Sequence, residues 1–225
     1  MFEKFKELFS SENLLDSAYK TTLTMMEFDQ KMFDAARKTL RETDTHELPF
    51  DIRQTDRKIN KYEREVRRQV MTHLTVAGTQ NLAPGLALIS IVIDVERIGD
   101  YTKNMVDLAS LHPQKLHGGK YEKTLLELEA VNEEVFSKVI HVLKTHDQQA
   151  AREVMQVEEA TAKKAESIVK DLVTGGDKSL STSESVAISM YARYLKRINA
   201  HLTNIASSAV NPFPRIGFRE KRKTT

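Results

Sequence analysis

The sequence predicts an all-α protein made of two tandem three-helix bundles related by internal duplication. Three observations carry that expectation. Glycine (8) and proline (5) are scarce among 225 residues and gather at Pro49, Gly78, Pro84-Gly85, Pro113, Gly118-Gly119, Gly175-Gly176, Pro212 and Pro214. There they punctuate long periodic segments. Strict apolar–polar alternation, the mark of a strand, is missing outside short ambiguous runs. The long segments come as three, then the break "HPQKLHGGK", then three more.

Taken in order, the apolar periodicity predicts helices over 12–44, 51–76 and 86–111, then over 120–145, 148–173 and 182–209. A short extra helix is expected at 2–9. Ser11 can cap the first helix and Ser181 or Ser183 the sixth, because a serine oxygen accepts from the free N–H groups of a first turn. The duplication shows in register. Shifted by 100 residues, Arg97 meets Arg197, Ile98 meets Ile198, Asn104 meets Asn204 and Ala109 meets Ala209. Phe33 and Phe136 hold similar places in the first and fourth helices, as do Leu40 and Leu143. The expected organisation is a first bundle with an amino-terminal extension over 1–114, a second bundle over 115–211, and a basic tail over 212–225.

Composition narrows the function. With 40% hydrophobic residues the chain can bury a sizeable core. It has no cysteine, so disulfides, thiolate metal ligands and thiol nucleophiles are excluded. No run reaches eighteen apolar residues, and residues 1–20 are charged throughout, so neither a membrane span nor a secretory leader is expected. The net charge of +2 is too small to argue for nucleic acid. No Gly-x-Ser-x-Gly elbow, Walker loop, dinucleotide fingerprint or His-Glu-x-x-His motif is present. Glu-x-x-His, which a di-iron bundle needs, is missing too. The expectation is a protein that binds rather than an enzyme.

One stretch stands apart. "LALISIVI" reads as a helix apolar on several sides, and "VIDVERIGDYTKN" then turns ionic. Glu96, Asp100 and Asn104 follow Val92 on one stripe of the third helix. A helix packed on several sides should limit their access to water, and an unpaired buried carboxylate is costly. The second helix offers Asp56, Asn60 and Glu63 on one face, with Arg57, Arg64, Arg67 and Arg68 nearby. Two compensations are open: an interhelical arginine network, or a divalent or trivalent cation held by acids from both helices. Hard oxygen donors favour magnesium, calcium, manganese or iron.

The six-helix duplication, with "VERIGDYTKNM" closing the third helix, resembles the PhoU family, regulators of phosphate uptake in prokaryotes. The resemblance covers roughly 12–210. Its most specific piece is Glu96-Arg97-Ile98-Gly99-Asp100 with Asn104, which matches the acidic signature that the family carries once per bundle. The resemblance implies a metal site at Glu96 and Asp100, with Asp56, Asn60 and Glu63 contributed by the second helix. The ion stays open among iron, magnesium, manganese, calcium and zinc. The second half departs from the pattern: "YLKRINAHLTN" carries Lys196 for Glu96 and Ala200 for Asp100. One metal-binding bundle and one metal-free bundle are therefore expected. Lys196 would pair with Glu158, Glu159 or Glu166, and His201 would be an ordinary hydrogen-bonded residue.

The implied function is a cytoplasmic adaptor of phosphate uptake. Its partner would be a membrane phosphate transporter, a sensor kinase, or both. A homodimer is implied, and membrane contact only through the partner. Phe2, Phe5 and Phe9 form an aromatic stripe expected to pack on the bundle or on a second subunit. The competing readings are a metal-handling bundle with no phosphate role and a purely structural interaction module.

Overall fold

The structure, a computed structural model, describes residues 11–45, 47–77, 81–112 and 114–220. The expected helix at 2–9, its three phenylalanines and the end of the basic tail lie outside the described residues. Six α-helices follow in order: α1 Ser11–Glu42, α2 Ile52–Ala77, α3 Leu82–Leu111, α4 Glu122–Thr145, α5 Gln148–Val173 and α6 Thr182–Ser207. Short 3-10 turns lie at Gly119–Tyr121 and Phe213–Arg215.

Local chemistry sets the ends. Asp51 Oδ1 accepts from Gln54 N–H at the start of α2, and Asp147 accepts from Gln149 and Ala150 at the start of α5. Ser181 and Glu184 form a reciprocal capping box on α6. The start of α3 lies four residues earlier than expected, at Leu82. Pro84 does not stop it, because the first-turn N–H groups of a helix have no intrahelical partner to lose.

In each half the first helix and a following hairpin pack together: α1 on α2 and α3, then α4 with α5 and α6. The halves meet where α1 touches α4 and α3 runs against α6. Phe33 and Phe136, matched by the internal repeat, meet each other there with ring centroids 5.1 Å apart. Matched residues touch when the seam lies on a pseudo-two-fold axis. One apolar core runs through both halves, from Met25, Met26 and Phe33 to Tyr191, Leu195 and Ile205.

The seam also carries buried charge. Arg41 of α1 donates Nε to Glu129 of α4 at 2.7 Å and NH2 to Glu122 at 2.5 Å, and it also donates to the Leu116 carbonyl. Tyr191 of α6 donates to the same Glu129 at 3.0 Å. Farther along, Asp94 of α3 bonds His201 Nδ1 at 2.7 Å and accepts from Asn204. Arg197 can only donate, so His201 Nε2 accepts from it and the Nδ1 proton points at Asp94. His201 is thus the hydrogen-bonded residue expected.

Candidate metal centre

Antiparallel packing of α2 on α3 brings the five sequence-selected residues to one face. Asn60 donates to the carbonyl and, at 3.4 Å, to the carboxylate of Asp56 one turn earlier. Glu63 is held by Arg67 at 3.1 Å. Across the groove, burial raises the pKa of Glu96, and the charges of Asp100, Glu63 and Asp56 raise it further. These acids therefore share one electrostatic site that spans two helices.

Two expectations need correction. Glu96 is only half-buried, and the Asp100 side chain is 47% exposed. Position 100 faces the outer mouth of the α2–α3 groove, so water reaches it even though α3 is packed on several sides. Among the described residues the protein's own cation on this face is not the interhelical arginine network weighed from the sequence. Among the described residues Arg67 goes to Glu63 and Arg68 to Glu65, and Lys103 of α3 bridges the groove. Its ammonium lies 2.6 Å from Asp100 Oδ1 and 3.2 Å from Asp56 Oδ2. Partial burial opposes its charge, but the two bonds outweigh that and raise its pKa.

Sequence reasoning missed the most buried acid. Asp29 of α1 has no solvent exposure, and both carboxylate oxygens lack a hydrogen-bond partner. Burial first, then the charges of Asp56 and Glu96, push it well above the usual carboxylate range. Gly99 explains how it fits. A Cβ on Gly99 would sit 3.0 Å from Asp29 Oδ1, so the glycine of Glu96-Arg97-Ile98-Gly99-Asp100 opens the space this acid occupies. The available signal was an acid on an otherwise apolar stripe, with Met25, Met26, Met32 and Phe33 around it.

The donor set fits a hard cation in kind and in charge. Asp29, Asp56, Glu63, Glu96 and Asp100 supply only oxygen, and Asp29 holds two unused acceptors in the interior. Among the described residues no three acidic or histidine side chains converge closely enough to hold an ion as they stand. An ion held here would require side-chain rotation.

The second bundle is different. Lys196 pairs with Glu166, not with Glu158 or Glu159. In the antiparallel α5–α6 hairpin Glu166 is level with Lys196. Glu158 and Glu159 lie one end along, where Glu159 meets Lys163 and Arg219. Ala200, Thr203 and Asn204 line a cavity of about 500 Å³ together with Gly217–Glu220. Gly217 N–H donates to Ser207 Oγ there, and Arg152 holds Glu220.

These features define a tandem three-helix-bundle protein with one acidic interhelical face. The PhoU domain model matches it twice, over residues 22–109 and 125–209. The chain belongs to the PhoU family. It is similar in structure to PhoU from Pseudomonas aeruginosa, with a TM-score of 0.78 at 20% identity, covering 88% of this chain and 96% of that one. It is also similar to the phosphate transport system regulatory protein PhoU from Streptococcus pneumoniae, with a TM-score of 0.77 at 16% identity, covering 89% and 95%. At these identities the likeness concerns the fold. No curated protein sequence matches the chain.

Proposed function

We propose that this protein regulates phosphate uptake by docking to a membrane phosphate transporter or a sensor kinase, with a cation on the first bundle shaping the docking face. The carrying observation is the double PhoU-domain match over both halves. The Streptococcus pneumoniae relative bears the description of a phosphate transport regulator. Among the described residues no helix is long and apolar enough to cross a membrane, which suits a protein that reaches a transporter by docking. The action is binding rather than turnover.

Asp29, Asp56, Glu96 and Asp100 would hold the cation, with Glu63 and Asn60 at the rim. When bound, the ion supplies positive charge that draws these carboxylates together and fixes α2 against α3. A ligand that binds only the folded form stabilises it by linkage. Added Mn²⁺ is therefore expected to raise the melting temperature of the wild type and to leave the Glu96→Ala/Asp100→Ala variant unchanged. Equal melting of bare and loaded wild type would remove the metal from this reading.

The regulatory reading is tested by capturing the tagged chain from gently solubilised native membranes of cells grown with scarce or abundant phosphate. The expected result is a phosphate transporter or sensor kinase enriched with the wild type and depleted with the double variant. Recovery of no phosphate-related partner in either condition would overturn it.

A further inference from the structure

The acidic face already contains a cation of its own. Lys103 reaches from α3 to within 2.6 Å of Asp100 and 3.2 Å of Asp56, so one ammonium engages carboxylates of both helices that form the face. The internal repeat offers a control. In the second bundle the positions of Glu96 and Asp100 hold Lys196 and Ala200, and the position of Lys103 holds Thr203. The lysine is absent where the acids are absent.

Resting on the metal reading above, we propose that Lys103 is a built-in competitor for the first-bundle cation site: its ammonium occupies the place between Asp56 and Asp100 that an incoming divalent ion must take, and so it sets the loading threshold. A metal needs bare carboxylate oxygens, and Asp56 Oδ2 and Asp100 Oδ1 are both engaged. Lysine suits the role because its charge sits on a flexible four-carbon stem with strongly hydrated donors, and can leave for water when displaced. A strong-field divalent ion replaces one positive charge by two, whereas a monovalent ion gains nothing over the ammonium. The device therefore favours divalent over monovalent ions and offsets part of the negative charge of the metal-free face.

The test is calorimetric titration of the full chain with Mn²⁺, beside melting in the presence of chelator. Lys103→Met is expected to bind Mn²⁺ at least about tenfold tighter than the wild type. Lys103→Arg, which keeps the charge, is expected to bind no tighter than the wild type. In chelator Lys103→Met should melt below the wild type, and Mn²⁺ should restore it. Should Lys103→Met not fold without metal, refolding by Mn²⁺ alone takes the place of the titration: recovery supports the competition and failure overturns it. Equal affinity of Lys103→Met and wild type, weaker binding by Lys103→Met, or no Mn²⁺ binding by either would each overturn the proposal. Those results leave the membrane capture experiment to judge the regulatory reading by itself.

Discussion

The two bundles share one helical trace and differ in what they bury at matched places. The shift that pairs Phe33 with Phe136 and Leu40 with Leu143 also pairs Asp29 with Asn132, and both are fully buried. The register of α3 on α6 pairs Glu96 with Lys196, Gly99 with Asn199 and Asp100 with Ala200. The first bundle thus gathers negative charge around an interior carboxylate, while the second holds neutral amides in its interior and a lysine at its edge. Since the second bundle builds the same fold without the acids, the acids are not a requirement of folding. A buried, unpartnered carboxylate opposes folding, so its presence in one half only supports the cation proposed for that half.

The largest expected effect tests the seam that joins the halves, which has a buried end and an exposed end. The Arg41 and Glu129 side chains are 4% and 5% exposed, whereas Lys144 and Glu27 are 49% and 43% exposed. Arg41→Met leaves Glu129 as an uncompensated buried charge and should cost about 3–5 kcal/mol. Lys144→Met should cost less than about 1 kcal/mol. Urea unfolding of both variants measures the contrast, and similar losses would show that burial does not separate the two ends.

Next comes an exchange of the interior residues. Asn132→Asp places a carboxylate at a fully buried position and removes the Nδ2 donor to the Leu128 carbonyl. A loss of about 2–4 kcal/mol at neutral pH is expected. Asp29→Asn in chelator should instead stabilise the chain, by about 1–3 kcal/mol. The gain depends on pH. The folded chain keeps the Asp29 proton at pH values where the unfolded chain has lost it. Stability from that proton is complete below the ordinary carboxylate pKa and is lost as pH rises toward the raised folded value. The advantage of Asp29→Asn should therefore be near zero in acid and grow toward neutrality, read as the difference between urea midpoints across pH. A gain that is flat with pH would mean that Asp29 is not the titrating group.

This exchange also shows what the sequence could and could not disclose. Periodicity placed all six helices, because each buries a long regular stripe and four of the five breaks between them carry glycine or proline. The α5 prediction of 148–173 agrees with Gln148–Val173. The acids on α2 and α3 were legible because they lie on one stripe of their own helices and match a known signature. Asp29 was not, since the acids that act on it lie on two other helices, and only the close approach at Gly99 reveals how it is accommodated. Lys103 was overlooked for a related reason. The arginines of α2 were more numerous, but side-chain direction rather than number decides which cation reaches across a groove.

The smallest expected effect concerns Lys196, the residue that reverses the charge of Glu96. A pairing with a buried acid would make Lys196→Glu severely disruptive. Its partner is instead Glu166, whose side chain is 61% exposed. Water and salt can screen two carboxylates there, so Lys196→Glu should lower the melting temperature by no more than about 1–2 °C. Adding Ala200→Asp to Lys196→Glu would rebuild the acidic signature in the second bundle. It should still bind Mn²⁺ more weakly than the wild-type first bundle, read in a chain whose first site is removed by Glu96→Ala/Asp100→Ala. Asn132 supplies no interior charge, and Gly217–Glu220 line the cavity beside Ala200. Binding equal to the wild type would show that the two signature acids suffice alone, and would remove Asp29 from the set of residues that distinguishes the halves.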